Sequence, residues 1–313
     1  MASYRERRDF AATIDAAAGQ LGVSPAIIEK DYWVTQALRV LAREFPDDFI
    51  FKGGTSLSKC CRLIQRFSED VDVLIIPRES KGATHRLMEQ MASAVEGVLG
   101  GPVTVGPSRR GEHRTVRIQY PATHKGSGLL LPDVMVEAGI RGGPQPCERL
   151  PVGCILGDTL QEAGERTGSF EDLQSFDVEV LHPGRTLMEK LGLLHSKIGA
   201  DPAEAGAARH VRHYYDVYML LGDDHALAVL RDKAEFGRIL ASMREVNDRW
   251  FGGGELRPAG GWAVSPAFDT AGPAYPRLQR AYDSALSELY LGRDEPPALD
   301  AICARVAELA DLL

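Results

Sequence analysis

The sequence contains few cysteines, and none of them forms a CxxC pair. There are five in 313 residues, and only Cys60 and Cys61 are adjacent. Because a disulfide framework needs paired cysteines and a structural zinc site needs clustered ones, this pattern argues against both. Cys60 and Cys61 stand at helical spacing from Leu57 and Ile64, which favours small buried hydrophobic side chains.

Long apolar runs are also absent. No stretch approaches the length that crosses a bilayer, and the first residues, MASYRERRDF, are charged and carry no apolar signal core. We therefore expect a cytoplasmic protein with no membrane partner. Charged residues make up 26% and hydrophobic residues 44%, a balance that excludes a disordered chain and supplies a full core. The length suggests two domains or two lobes.

An excess of positive charge is missing too. The net charge is −8, which does not indicate a general nucleic-acid binder. Basic residues are nevertheless clustered, and the clusters include Arg66, Arg114, Arg117 and Arg212. A locally basic cleft on an acidic protein can still bind a polyanion, although any single cluster is explained more simply as solvated surface.

Apolar periodicity divides the chain into an α/β part and a helical part. Residues 4–45 are helical in pattern, with Ser24-Pro25 as the N-cap and the first helical position. The next segment predicts the order strand, helix, strand, helix, strand, strand, which is typical of a small mixed sheet. The predicted strands are 49–51, 71–76, 115–122 and 133–140, and the predicted helices run from the glycines to about Arg66 and over 84–100.

The second half of the chain has a different character. Residues 141–183 are rich in proline and glycine and predict loops with short strands at CILG and VEVL, whereas the pattern beyond them is mostly helical. We therefore predict an α/β plus α fold with two lobes. The N-terminal helices and a small mixed-sheet lobe occupy residues 1–183, and a mainly helical C-terminal lobe occupies residues 184–313.

A pair of carboxylates lies near the centre of the α/β part, in SEDVDVLI. Strand alternation sets Ser68, Asp70 and Asp72 on one face. Two carboxylates on one face cost stability through like-charge repulsion, and a divalent cation removes that cost. Because Mg²⁺ takes carboxylate and phosphate oxygens together, Asp70 and Asp72 are predicted metal ligands.

The turn before this strand supplies a complementary feature. Gly53 and Gly54 let the backbone approach a ligand closely, and the free N–H groups of the following helix favour phosphate. Thr55 and Ser56 add hydroxyl donors, and Lys59 adds a charge that can reach phosphate or RNA. A lone GG is more often a turn and a lone DxD a solvated edge, so the specificity comes from their combination, 17 positions apart.

These residues resemble a known family. GGTSLSK followed by RFSEDVDVL is similar to the signature of the nucleotidyltransferase superfamily, and in detail to AbiE-type abortive-infection toxins and the related MenT-type toxins of toxin–antitoxin systems. IIEKDYWVTQAL resembles the family's N-terminal helix, and RTLMEKLGLLHSK and RHYYDVYML resemble its two later motifs in the same order. The similar blocks touch most of residues 25–220, whereas residues 221–313 match no motif.

The resemblance implies a two-lobed enzyme that uses Mg²⁺ to transfer a nucleoside monophosphate from an NTP and releases pyrophosphate. In MenT-type toxins the acceptor is the 3′ end of tRNA, so that aminoacylation and translation are blocked. With such an acceptor, the RNA backbone would be contacted by Arg66, Arg114, Arg117 and Arg212. A cognate antitoxin, usually encoded beside the toxin, would be the protein partner. The alternatives are a protein side chain or a small molecule as acceptor, and a non-catalytic RNA-binding protein.

The resemblance also implies further site residues. Glu137 in VMVEAGI would be the third metal-binding carboxylate, and Asp133 competes for this role because it shares the strand face of Glu137. Ser68 would contact the nucleotide. The matching serine is phosphorylated in some members, and a phosphate beside Asp70 and Asp72 would compete for metal.

Two residues of the helical half complete the expected site. Lys190 lies off the apolar stripe of its helix, matches the lysine of the family's EKL motif and would bind triphosphate oxygens. Asp216 matches a functional aspartate of the family, and with Lys190 it would face the carboxylate pair across the cleft. The alternatives for Asp216 are an ion pair with Arg212 and a metal site with His210 and His213.

Overall fold

The computed structural model describes residues 3–126, 130–199 and 208–313. Its contacts define two compact units, and two short stretches from the first half of the chain belong to the second unit. The first unit comprises Met1–Cys60, Ser68–Arg141 and Cys147–Val180, and the second comprises Cys61–Phe67, Gly142–Pro146 and Leu181–Leu313.

A seven-stranded mixed sheet forms the framework of the α/β part, in the order β3-β4-β5-β2-β1-β7-β6. The central strand β2 pairs antiparallel with β1 and parallel with β5. The expected mixed sheet is therefore confirmed. The strands are β1 (Phe49–Lys52), β2 (Asp70–Ile75), β3 (Val103–Arg109), β4 (His113–Gln119), β5 (Asp133–Gly139), β6 (Cys147–Val152) and β7 (Phe176–Leu181).

Eleven α-helices lie in the described parts of the chain. Among these residues, no helix combines the length and the apolar composition that crossing a membrane requires. The helices are α1 (Phe10–Leu21), α2 (Pro25–Glu44), α3 (Gly53–Lys59), α4 (Lys81–Leu99), α5 (Ile155–Glu162), α6 (Pro183–Leu194), α7 (Ala208–Leu220), α8 (Asp224–Arg231), α9 (Lys233–Trp250), α10 (Tyr275–Leu289) and α11 (Leu299–Glu308).

The amphipathic pattern of β2 explains its place in the sheet. Val71 and Val73 are fully buried on one face, whereas Asp70 and Asp72 point to the other face and are half-buried. Helix α2 packs on β2 and β5. Burying each valine contributes about 1.5–3 kcal/mol to the stability of the fold. The apolar face therefore fixes the register of β2, and this register places the two carboxylates on the opposite face.

Helix α3 is shorter than predicted. It ends at Lys59 rather than near Arg66, and Arg62 has a left-handed backbone conformation with φ of 54°. Cys60 and Cys61 therefore lie beyond the helix and are half-exposed, which corrects the expectation that they are buried in it. Residues 61–67 belong to the second unit and do not continue α3.

The segment CILG is helical rather than extended. Cys154 is the N-cap of α5, and its Sγ accepts a hydrogen bond from the Gly157 N–H at 3.3 Å. A four-residue apolar run has the same periodicity in a buried strand and in a buried helix, which is why the prediction was wrong. VEVL lies in β7, as expected, while β3 and β6 were not predicted.

The second unit is built on the two helices that carry the later motifs. Helix α6 packs against α7 and α8, and α7 packs against α10 and α11. Residues 221–313, which match no motif, thus supply helices that support α6 and α7.

Candidate functional site

Three carboxylates lie on one face of neighbouring strands. Asp72 on β2 stands directly opposite Glu137 on the parallel strand β5, and Asp70 stands opposite Met135. Because side chains alternate along each strand, Asp70, Asp72 and Glu137 share a face. The register therefore brings together the three residues that the sequence predicts as metal ligands.

The charge of Asp72 acts on Glu137. Partial desolvation is the larger cause that raises the pKa of Glu137, and repulsion by the Asp72 carboxylate is the next. The ammonium of Lys52 opposes the shift. Such a shift is typical of two carboxylates that share a small volume. An all-oxygen set of three carboxylates on one face fits the ligand preference of Mg²⁺.

Asp133 is the weaker candidate for the third carboxylate. It is buried at the start of β5, opposite Gln119. Met135 lies between it and Glu137 on the same strand face. Its Oδ1 forms an ion pair with Arg117 Nη1 at 3.1 Å. The register thus favours Glu137, which is level with Asp72.

The first glycine of the turn makes room for Asp72. Gly53 has φ of 84°, a conformation that disfavours side chains, and a Cβ built on it would lie 2.2 Å from Asp72 Oδ2. Only glycine satisfies both conditions. The sequence predicts that the glycines approach a phosphate ligand, and the structure adds that Gly53 lets a predicted metal ligand lie against the start of α3. Gly54 follows it in the first turn and is half-buried.

The hydroxyl groups of the turn are used within the protein. Ser56 Oγ donates to the Gly53 carbonyl at 2.9 Å, and Thr55 Oγ1 donates to Ser68 Oγ at 2.9 Å. Thr55 and Ser56 are fully buried, while Ser68 is half-buried. These bonds hold the turn against the strand that carries Asp70, which is a structural role for two residues predicted to bind the nucleotide.

Lys59 is also engaged inside the first unit. Its ammonium donates to Asp31 Oδ1 at 2.6 Å, to Thr35 Oγ1 at 2.8 Å and to the Gly153 carbonyl at 3.3 Å. An ammonium has three donors, so these bonds use all of them. In this structure Lys59 joins α3 to α2, and its contact with phosphate or RNA stays a prediction.

Replacing Lys59 by methionine distinguishes this structural role from the predicted contact with phosphate or RNA. We expect a loss of about 3 kcal/mol in the free energy of unfolding, because the buried Asp31 carboxylate loses its counter-charge. The KM for NTP should stay unchanged. The matched control is Lys81→Met, since Lys81 is 73% exposed and its ion pair with Glu112 contributes at most about 1 kcal/mol. A raised KM with little loss of stability in Lys59→Met would support the predicted nucleotide contact instead.

A buried ion cluster lies in the second unit. Asp216 on α7 is fully buried, and its carboxylate accepts from Arg66 Nε at 2.7 Å and from Arg66 Nη2 at 2.8 Å. Lys190 Nζ on α6 donates to Asp216 Oδ2 at 2.7 Å and to His213 Nδ1 at 3.0 Å. The structure thus brings Lys190 and Asp216 together, because the two helices that carry them pack against each other.

The cluster has defined protonation states. Burial raises the pKa of Asp216, but the charges of Arg66 and Lys190 outweigh it and hold that pKa well below its usual range. Burial and the Lys190 charge lower the pKa of His213 to about 3. His213 is therefore neutral near pH 7 and accepts from Lys190, which favours neither a metal site on His213 nor an ion pair of Asp216 with Arg212.

The four arginines predicted to bind RNA have different surroundings. The Arg66 guanidinium is buried and paired with Asp216, which disfavours a contact with RNA. Arg114 pairs opposite Ala138, on the apolar face of the sheet, and lies 3.7 Å from Glu89 of α4. Two arginines keep the RNA assignment as a prediction: Arg117, which shares the face of Glu137, and Arg212, which is half-buried on α7.

Metal binding at the three carboxylates predicts an unusual pair of thermal shifts. Mg²⁺ should raise the melting temperature of the wild type, because it binds only the folded site. Glu137→Gln should melt higher than the wild type in EDTA, because it removes a repulsive charge beside Asp72, and should lose the response to Mg²⁺. Thermal denaturation with Mg²⁺ and with EDTA measures both.

The matched control for this experiment is Glu179→Gln on β7, which carries a half-exposed carboxylate outside the set. It should respond to Mg²⁺ as the wild type does. An unchanged metal response in Glu137→Gln would contradict the assignment of Glu137 as a ligand.

A protein family and a solved structure are similar to this chain. The profile of the family described as nucleotidyl transferase AbiEii toxin, type IV toxin–antitoxin system, matches residues 38–305. A similar solved structure is MenT4, a nucleotidyltransferase toxin from Mycobacterium tuberculosis H37Rv, with 18% identity and a TM-score of 0.41 over 88% of this chain and 99% of that chain. No curated protein matches the sequence significantly. Because the family profile covers most of its length, the chain belongs to the AbiEii family of nucleotidyltransferase toxins.

Proposed function

We propose that this toxin-family nucleotidyltransferase is Mg²⁺-dependent and transfers a nucleoside monophosphate from an NTP to the 3′ end of tRNA. The observation that carries the proposal is the register between β2 and β5, which sets Glu137 directly beside Asp72 on the face that also carries Asp70. The family accounts for the type of reaction, and the carboxylates account for the proposed metal.

The proposed reaction breaks a phosphoanhydride bond of the NTP and forms a phosphodiester. A bond forms between the acceptor 3′ oxygen and the α-phosphorus, and the bond from that phosphorus to the oxygen that bridges it to the β-phosphorus breaks. Pyrophosphate leaves, and the proton of the hydroxyl passes to solvent. Bound Mg²⁺ supplies charge neutralisation on the triphosphate and acidifies the attacking hydroxyl. Asp70, Asp72 and Glu137 hold the ions, and Gly53 leaves the space in which Asp72 adopts its orientation.

Lys190 and Asp216 enter the proposal through the motifs that they match. In the proposed reaction Lys190 offers a positive charge to triphosphate oxygens, and Asp216 holds that ammonium in place at 2.7 Å. A lysine suits this task because its ammonium is a compact point charge.

An RNA acceptor is favoured by one observation on the first unit. Arg117 shares the strand face of Glu137, and its side chain is 42% exposed although it pairs with Asp133. An arginine beside the proposed metal ligands offers a contact for a phosphate of the acceptor. We further propose that the protein acts in the cytoplasm, where NTP and tRNA are found, and that a cognate antitoxin controls it.

The test of this function is to incubate the purified chain with each labelled NTP and Mg²⁺ in the presence of total RNA, total protein and a small-molecule extract. We expect label in tRNA from one or two NTPs, at a terminal position that 3′ exonuclease removes. Label in protein or small molecules would instead support another acceptor. No transfer to any fraction would support a non-catalytic RNA-binding protein.

A further inference from the structure

The stretch of chain just before the predicted metal strand is built into the second unit. Gln65 N–H donates to the Tyr215 hydroxyl at 3.0 Å, and the Leu291 N–H donates to the Gln65 carbonyl at 2.8 Å. Arg66 forms an antiparallel bridge with Tyr290. Residues 61–67 are therefore held on two sides, by α7 and by the chain that follows α10.

This support fixes the guanidinium of Arg66. The Arg66 side chain is 3% exposed, and its Nη1 donates to the Phe67 carbonyl at 3.2 Å while Nε and Nη2 grip both oxygens of Asp216. A bidentate arginine–carboxylate pair defines the orientation of the carboxylate as well as its charge. Asp216 Oδ2 in turn receives the Lys190 ammonium.

We propose that Arg66 is a positioning residue of the transferase: it holds the Asp216 carboxylate in the orientation that fixes the ammonium of Lys190. This inference rests on the proposed function, in which the ammonium of Lys190 binds triphosphate oxygens. It gives residues 221–313 a part in the reaction, since Tyr290 and Leu291 hold the segment that carries Arg66. Arg66 touches neither substrate nor metal in this role.

Arginine is suited to the role for a geometric reason. Its planar fork binds both carboxylate oxygens, whereas lysine offers one point charge. Arg66→Lys should therefore keep the charge beside Asp216 and lose the orientation. Arg66→Gln should lose both.

The charges around Asp216 predict a pH signature. Asp216 faces Arg66 from residues 61–67, Lys190 from α6, and His213 and Tyr215 from α7, and its charge also reaches Tyr282 of α10. Because Arg66 lowers the pKa of Asp216, its removal should raise that pKa, and activity should then be lost at a higher pH as the solution is acidified.

The experiment compares Arg66→Gln, Arg66→Lys and the wild type in steady-state transfer assays across pH. We expect kcat to fall about 100-fold in Arg66→Gln, because misplacing a group by about 1 Å costs that much. Its KM for NTP should change far less, and the acidic limb of its pH profile should move to higher pH. Arg66→Lys should show an intermediate kcat and an unmoved limb.

The control is another buried arginine of the same unit. Arg185 is 1% exposed and bonds to Glu189 and to the Gln145 carbonyl, so Arg185→Lys should lose stability and keep the wild-type kcat and pH profile. Wild-type kcat and pH dependence in Arg66→Gln would overturn the proposal. If Arg66→Gln does not fold, wild-type kcat in Arg66→Lys has the same consequence.

A second readout does not depend on activity. Nitrogen NMR of protein labelled with ¹⁵N-histidine should show His213 neutral, with Nδ1 as acceptor, down to about pH 5 in the wild type. The charge of Arg66 is one of the causes that lower the pKa of His213, so this pKa should be higher in Arg66→Gln. The His213→Gln variant assigns the signal. If no NTP is transferred by the wild type, the proposed function fails, and this titration alone decides the positioning role. An unchanged His213 titration in Arg66→Gln would then refute it.

Discussion

Replacement of Asp72 by asparagine is expected to lower the rate of nucleotide transfer by about 10³-fold, which corresponds to about 4 kcal/mol of lost transition-state stabilisation. Asp72 is level with Glu137 on the next strand and lies against Gly53, so it is the central member of the carboxylate set. An amide of the same shape keeps the strand intact and removes the negative charge that a hard cation requires. Initial rates at saturating NTP and Mg²⁺ measure the effect.

A carboxylate elsewhere in the sheet provides the control. Asp177 on β7 is 59% exposed and lies 3.9 Å from Arg149, a surface pair that contributes little. Asp177→Asn should therefore transfer nucleotide at the wild-type rate. Transfer by Asp72→Asn at a tenth of the wild-type rate or more would show that this carboxylate is not a metal ligand of the reaction.

Replacement of Gly53 by alanine is expected to lower activity about 100-fold while the protein stays folded. The new Cβ would have to displace Asp72 Oδ2, which lies 2.2 Å from its position. The left-handed backbone adds about 1–2 kcal/mol of strain. The transfer rate and the Mg²⁺ concentration at half-maximal rate measure the effect. The rate should fall and that concentration should rise, because the displaced group is a proposed metal ligand.

The chain contains a glycine that separates strain from contact. Gly22 has φ of 70°, close to that of Gly53, and a Cβ on it would meet nothing within 4 Å. Gly22→Ala should lose a similar amount of stability and keep full activity. If the two alanine variants lost activity equally, the effect would come from strain, and the link between Gly53 and Asp72 would be wrong.

The carboxylate pair could be predicted because it is local. Asp70 and Asp72 are two residues apart on one strand, and strand alternation alone places them together. Glu137 needed the resemblance, since its place beside Asp72 depends on the parallel pairing of β5 with β2. No sequence spacing encodes that register, so the sequence alone leaves Asp133 as an alternative.

The buried partners of charged residues could not be predicted for the same physical reason. Arg66 and Asp216 are 150 residues apart in sequence, and Lys59 meets Asp31 across 28 residues. Each arginine or lysine taken alone reads as a surface charge available to RNA or phosphate. Only the folded structure shows that the side chains of Arg66 and Lys59 are buried and paired with carboxylates, and that they therefore stabilise the protein.

The missed elements follow a similar logic. Strand β3 is mostly exposed and contains glycine and proline, so it carries no alternating apolar pattern. Residues 61–67 continue the helical periodicity of α3. In the structure, however, the Gln65 carbonyl accepts from Leu291 N–H and Arg66 pairs with Tyr290, more than 200 residues further along the chain. Non-local pairing overrode local propensity at this point.

The most direct measurement is anomalous diffraction from crystals of the chain grown with Mn²⁺ and a non-hydrolysable NTP. Mn²⁺ prefers the same oxygen ligands as Mg²⁺. The proposed function predicts anomalous peaks within about 2.0–2.4 Å of carboxylate oxygens of Asp70, Asp72 and Glu137, with the triphosphate on the same ions. A triphosphate bound with Mn²⁺ at other residues, and none at these three, would contradict it.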